Sequence, residues 1–301
     1  MPITSLYLVI ELSGESRPTK KGVKQLKNQE GDTMIKIIFS DMDGTLLDEN
    51  GQLPQEFDDT IAKLKERGVI FAPSSGRQYF SLLKTFNKYK DNFLFIAENG
   101  TLAMYKDKEL FSSPMDRKTA LEIIKIGDKF DNILRVYCGK KHSYILESDN
   151  KPEYIEEINK YISKYEVVKS FANIDDEPIK MSFFNMVGKS EESIYPAINE
   201  KFGSFMQVVL ASDFWTDVIN MSISKGVAVQ NVQKILGITP DECAAFGDYL
   251  NDVQMLQAVT HSFAMANAHP DLKQLAKYET VSNAEHGVIV GINKLIEQGL
   301  I

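Results

Sequence analysis

Two hydrophobic periods alternate from residue 35 onward, and together they leave few folds open to this chain. The apolar run IKIIFS (residues 35–40) is followed by PQEFDDTIAKLKERG (54–68), where apolar residues recur at helical spacing between Pro54 and Gly68. A second short apolar run, VIFAPSS (69–75), comes directly after. A strand that is joined to the next by a crossing helix re-enters the sheet at the same end, so this unit specifies parallel pairing with the helix across one face. A helical stretch QYFSLLKTFNKY (78–89), a strand FLFIAENG (93–100) and a hairpin from Leu102 to Phe111 extend the pattern.

Between about Pro114 and Trp215 the rhythm changes. The chain there reads helix (Asp116 to Phe130), strands ILRVYC and HSYILES, helix (Pro152 to Tyr165), strands EVVKSF and KMSFFN, helix (Glu191 to Phe202) and strand FMQVVLA. After Asp217 the strand–helix alternation returns: helix Gly226 to Leu236, strand CAAFG, helix Asp252 to Ala258, strand SFAMA and a last helix near Val288 to Glu297. The expected fold class is α/β, with a parallel-sheet core domain made of residues 34–113 and 216–301. Residues 114–215 form a second α/β domain inserted between those segments.

Residues 1–33 are polar and Lys-rich, with Gly14, Pro18 and Gly22 as breakers, and are expected to have little fixed structure. Codons for Glu30, Gly31 and Asp32 can spell a purine-rich ribosome-binding sequence, so Met34 is the expected start of the functional chain. The one apolar run in the leader, LYLVI, has no basic region before it and no small-residue cleavage site, unlike a signal peptide. No apolar stretch is long enough to span a bilayer. A formal net charge of −8, without a sustained Lys or Arg block, argues against a nucleic-acid partner. Cys138 and Cys243 are the only cysteines and lack a metal-ligand spacing, which fits a reducing cytoplasm rather than a disulfide or zinc framework. A monomer or weak oligomer is expected.

Four polar groups follow predicted sheet strands or open helices. They are Asp41 and Asp43 after IKIIFS, Ser75 and Arg77 after VIFAPS, Lys225 at a helix start, and Asp248, Asn251 and Asp252 after CAAFG. Ligands of open parallel sheets bind outside the carboxyl ends of the strands, so a shared site is the natural inference. Converging carboxylates without His or Cys suit a hard, oxygen-ligated cation such as Mg²⁺. A lysine, a serine and an asparagine then offer hydrogen bonds and charge to a phosphoryl group. A calcium loop does not fit DMDGTLLDENG, because its glycine stands fourth rather than sixth and a strand precedes it.

The set DMDGTL, SSGR, ENG, ISKG and GDYLNDVQML, followed by FAMANA and AEHGV, resembles the haloacid dehalogenase-like superfamily in its Cof-type phosphatase branch. The resemblance runs from Met34 to about Gln298 and implies a Rossmann-like core with an α/β cap. FWTDVINMSISKG is similar to the members that act on sugar phosphates. What the resemblance implies, residue by residue, is Asp41 as nucleophile and Mg²⁺ ligand, and Asp43 as general acid and base with its carbonyl on the metal. Asp248 completes the protein's metal ligands and Asp252 stands behind them, orienting water. Ser75, Gly76, Lys225 and Asn251 hold the phosphoryl oxygens, and Arg77, Trp215 and Asp217 are candidates for contacting the rest of the substrate. Ser75 replaces the family's usual threonine, and Tyr249 stands where a small residue is common.

The implied activity is Mg²⁺-dependent hydrolysis of a small phosphorylated metabolite, a sugar phosphate above all, through an aspartyl phosphate. A sugar phosphomutase shares both acids and is the nearest alternative. A non-catalytic phospholigand-binding protein has no use for Asp41 beside Asp43.

Overall fold

The computed structural model describes residues 34–301, so the expectations for residues 1–33 lie outside the described residues. The first segment runs β1 (Ile37–Ser40), α1 (Phe57–Glu66), β2 (Ile70–Pro73), α2 (Tyr79–Thr85), β3 (Leu94–Ala97), β4 (Leu102–Tyr105) and β5 (Lys108–Ser112). The insert follows as α3 (Arg117–Ile124), β6 (Ile133–Gly139), β7 (Ser143–Leu146), α4 (Pro152–Tyr161), β8 (Tyr165–Val168), β9 (Pro178–Asn185), α5 (Ile194–Phe202), β10 (Met206–Leu210) and β11 (Trp215–Asn220). The chain then returns through α6 (Lys225–Leu236), β12 (Cys243–Gly247), α7 (Val253–Gln257), β13 (His261–Ala264), α8 (Pro270–Leu275), β14 (Tyr278–Glu279) and α9 (Gly287–Glu297).

The core sheet is parallel, in the order β14-β13-β12-β1-β2. β1 and β12 lie at its centre and are buried along their whole length, as their unbroken apolar runs require in a sheet covered on both faces. The antiparallel set β3-β4-β5 continues from β2 through a parallel bridge between Ser74 and Ile96.

The insert is built on a six-stranded sheet, β10-β11-β9-β6-β7-β8, largely antiparallel. Strand alternation divides its residues. Met181, Phe183 and Val218 join Ile123, Ile198 and Phe202 of α3 and α5 in a core of the insert's own. Lys180, Ser182 and Phe184 fall on the opposite face of β9, as do Trp215, Asp217 and Ile219 on β11, where Asp217 pairs with Ser182 and Trp215 with Phe184.

β11 places the end of the insert's sheet at Asn220, five residues beyond the expected boundary at Trp215. Its register with β9 and β10 decides this, although Thr216 and Asp217 make it look unlike a buried strand. The crossing points lie together: Asn220 Nδ2 donates to Ser113 O (3.1 Å), Ser113 Oγ (3.0 Å) and Pro114 O (2.9 Å). The helix expected over 116–130 ends at Ile124 and continues as a 3₁₀ turn, and the one expected over 152–165 ends at Tyr161 because β8 begins at Tyr165. No described helix is long and apolar enough to cross a membrane.

Candidate active site

Asp41 follows β1 and Asp248 follows β12, so adjacent central strands deliver two carboxylates to the same end of the sheet. Lys225 opens α6 directly after its N-cap, Ser224, whose hydroxyl accepts from Val227 N at 3.2 Å. From there Lys225 Nζ donates to Asp41 Oδ1 (2.5 Å) and Asp252 Oδ1 (2.7 Å), in a setting where Lys225 and Asp252 are both buried. Asp252 Oδ2 accepts from the backbone N–H groups of Asp248 (3.1 Å) and Tyr249 (3.3 Å). Both oxygens of Asp252 are thus engaged, and it fixes the lysine and the loop rather than facing outward.

The turn after Asp41 packs against Asp248. Gly44 has a left-handed φ of +82°, and a Cβ there would lie 2.4 Å from Asp248 Oδ2. Thr45 Oγ1 donates to Asp248 Oδ1 at 2.8 Å. One oxygen from each of Asp41, Asp248 and Asp252 falls within 4.8 Å of the others. Burial pushes the Asp41 carboxyl up to about 8, with Lys225 pulling the other way and Asp252 adding to the rise. Asp248 is also raised by burial, against its bond from Thr45. Burial works against the Lys225 ammonium, but Asp252 and Asp41 outweigh it and hold its pKa above the usual lysine range. Three clustered carboxyl groups, with Asp41 and Asp248 raised and one ammonium among them, make a site of oxygen donors alone that fits a small divalent cation such as Mg²⁺.

Asp43 is not a member of this cluster. Its carboxylate meets Arg77 in a fork, Nε to Oδ2 at 3.0 Å and Nη2 to Oδ1 at 2.5 Å, at an exposed position. Ser75 is buried, and its hydroxyl accepts from Arg77 N at 3.1 Å. Asn99 crowds the α-hydrogen face of Gly76, where a Cβ would lie 3.1 Å from Asn99 Oδ1. Asp41, Asp43, Ser75, Gly76, Lys225, Asp248 and the exposed Asn251 border one cavity of about 710 Å³.

The insert closes the other side of that cavity. Trp215 lines it while its ring packs on Phe184 (centroids 5.2 Å apart) and its indole N–H donates to Glu157 Oε1 at 3.3 Å. Asp217 lines it too, but both of its oxygens are taken, Oδ1 by Ser182 Oγ (2.6 Å) and Oδ2 by Lys180 Nζ (3.2 Å). Sequence reasoning misses Lys180 and Glu98, which meet here at 2.6 Å. A lone lysine opening the buried strand KMSFFN is the signal that could point to them, since a buried charge needs a partner.

A family model described as haloacid dehalogenase-like hydrolase matches residues 38–292. Among curated relatives, the 5-amino-6-(5-phospho-D-ribitylamino)uracil phosphatase YbjI of Escherichia coli is 29% identical over 265 residues, covering 87% of this chain and 97% of that protein. The phosphatase YwpJ of Bacillus subtilis is 27% identical over 282 residues, covering 84% and 97%. A solved structure from Streptococcus mutans superposes with a TM-score of 0.75 at 29% identity, covering 87% of this chain and 99% of the other.

Proposed function

The chain belongs to the haloacid dehalogenase-like hydrolase family and is a phosphatase, and from that premise we propose that it hydrolyses small phosphomonoesters, sugar phosphates above all, with Mg²⁺ and through a phosphorylated Asp41. The observation that carries this reading is the buried Asp41 carboxylate, with one oxygen bonded to Lys225 and the neighbouring Asp248 beside it.

Asp41 attacks phosphorus while the bond to the leaving alkoxide breaks, and Asp43 gives that alkoxide its proton. In the second step Asp43 takes a proton from water, which attacks phosphorus and releases inorganic phosphate and Asp41. Lys225 holds Asp41 in place and pulls its pKa down against the rise that burial causes, and Asp252 keeps Lys225 in place. Ser75, Gly76, Lys225 and Asn251 hold phosphoryl oxygens. Arg77 keeps Asp43 at the cavity mouth, within reach of a leaving group. Asp41, Asp248 and the carbonyl of Asp43 would hold Mg²⁺, which when bound offsets the charge of the carboxylates and the phosphoryl group.

Release of nitrophenolate from p-nitrophenyl phosphate, assayed with and without chelator, tests the proposal. Turnover is expected to stop in excess EDTA and return with Mg²⁺. Calcium should restore little, because its looser coordination misplaces the attacking carboxylate. Full activity in excess chelator overturns the metal assignment, and no activity under any condition overturns the proposal.

A further inference from the structure

Among the described residues the cavity is lined by three cations, Arg77, Lys180 and Lys225, and the reaction above uses two of them. Resting on the phosphatase reading, we propose that Glu98, Lys180 and Asp217 form a specificity-determining cluster. It makes the cavity accept phosphomonoesters of uncharged alcohols and turn away those that carry a second anionic group.

The ammonium of Lys180 has three protons and three acceptors in reach: Glu98 Oε2 at 2.6 Å, Asp217 Oδ2 at 3.2 Å and Gly76 O at 3.4 Å. Ser182 fixes the remaining oxygen of Asp217. The Lys180 side chain is only 10% exposed, Glu98 2% and Asp217 9%, so two carboxylates surround one cation with little water to screen them. The cluster therefore sets two carboxyl groups against one ammonium beside Gly76, next to the loop proposed to hold the phosphoryl group.

The other two cations are also committed, Arg77 to Asp43 and Lys225 to Asp41 and Asp252. A second carboxylate or phosphate on the substrate would meet acidic groups and find no cation without a carboxylate partner. Placing like charges side by side in an enclosed site costs several-fold to many-fold in affinity. The rest of this wall, Val209, Leu210, Trp215 and Ile219 with the amide of Gln207, suits a body that is hydroxylated or apolar but neutral.

Matched pairs test this directly: glycerol phosphate against phosphoglycerate, and glucose phosphate against phosphogluconate, each phosphorylated at a terminal carbon. Each compound is measured with the full chain as a substrate and as a competitor of p-nitrophenyl phosphate. The neutral member of each pair is expected to be favoured by about tenfold or more in kcat/KM or in inhibition constant. Asp217→Asn keeps the shape, strips one carboxylate from Lys180, and should shrink that preference by about threefold or more through KM of the anionic member. Lys180→Met should widen it, because Glu98 and Asp217 lose their counter-ion. A merely structural cluster would move both members of a pair alike. A ratio near one in the unmodified chain overturns the inference without any variant, as does a ratio that neither substitution changes. Absence of p-nitrophenyl phosphate hydrolysis fails the phosphatase reading instead, and takes this inference with it.

Discussion

At the scale of single residues, the two acids of the DMDGTL motif are separated by what holds them. Asp41 is buried and tied to Lys225, whereas Asp43 is exposed and gripped by Arg77. Asp43→Asn should therefore leave attack by Asp41 possible when the leaving group needs no proton. With p-nitrophenyl phosphate it is expected to give a burst of nitrophenolate and a trapped phosphoenzyme, with steady turnover lower by about 10²–10⁴-fold. Asp41→Asn should give neither burst nor turnover, and equal losses without phosphoenzyme would remove Asp43 from the acid and base role. The cysteines make a contrasting case. Burial pushes the Cys138 thiol up to about 12 and Cys243 up to about 11, so both stay protonated through the range where an ordinary thiol ionises. Labelling of the native chain by a disulfide reagent is expected to stay slow from pH 7 to pH 9 and to become fast only in denaturant. A rate that rises steeply across that range would show that one thiol is open to solvent. Asp41, Lys225, Asp248 and Asp252 are legible in the sequence because each sits where a strand ends or a helix begins. The pairing of Glu98 with Lys180 is not, because it joins a core loop to a strand of the insert: the lone lysine of KMSFFN says that a partner is needed but not which one.

At the scale of elements, α6 does the most positioning. Its N-cap Ser224 satisfies the helix start and lies beside Gly100, whose φ of +99° and missing side chain are both needed: a Cβ there would fall 2.4 Å from Ser224 O. Lys225 inherits its aim from that contact. Ser224→Ala is expected to cost about 1 kcal/mol, the usual worth of an N-cap, and to lower Tm by about 2 °C. It should also lower kcat, since the first turn carries the lysine. A drop in Tm without any change in kcat would mean that α6 holds Lys225 without help from its cap. The long strands and helices of the core are legible from their period, as β1, β2, α1 and β12 bear out. β11 is not, because Thr216 and Asp217 are buried polar residues that break its apolar pattern, and Asp217 finds its partners only in neighbours distant in sequence. α8 and β14 escape notice because each is too short for a period to register.

At the scale of the whole molecule, the insert interrupts the core between strands that must become neighbours. Thr45, just past β1, bonds to Asp248, just past β12, across 203 residues of chain, while Asn220 clasps Ser113 across 107 of them. Contacts so far apart fold slowly, because the loop must be closed before the contact repays it. If the insert folds first, Asn220 joins its two ends and roughly halves the loop that β1 and β12 have to close. Each halving is worth about 0.6 kcal/mol, or about threefold in rate. The insert should accordingly act as a folding clamp for the core: its amides gain protection first in pulse-labelled hydrogen exchange, and those of β1 and β12 follow. Asn220→Ala should slow refolding by about that threefold factor while leaving the unfolding rate nearly unchanged, as expected for an interaction already made in the transition state. Core strands that are protected ahead of the insert, or an Asn220→Ala effect confined to unfolding, would mean that the core assembles around an insert still unfolded.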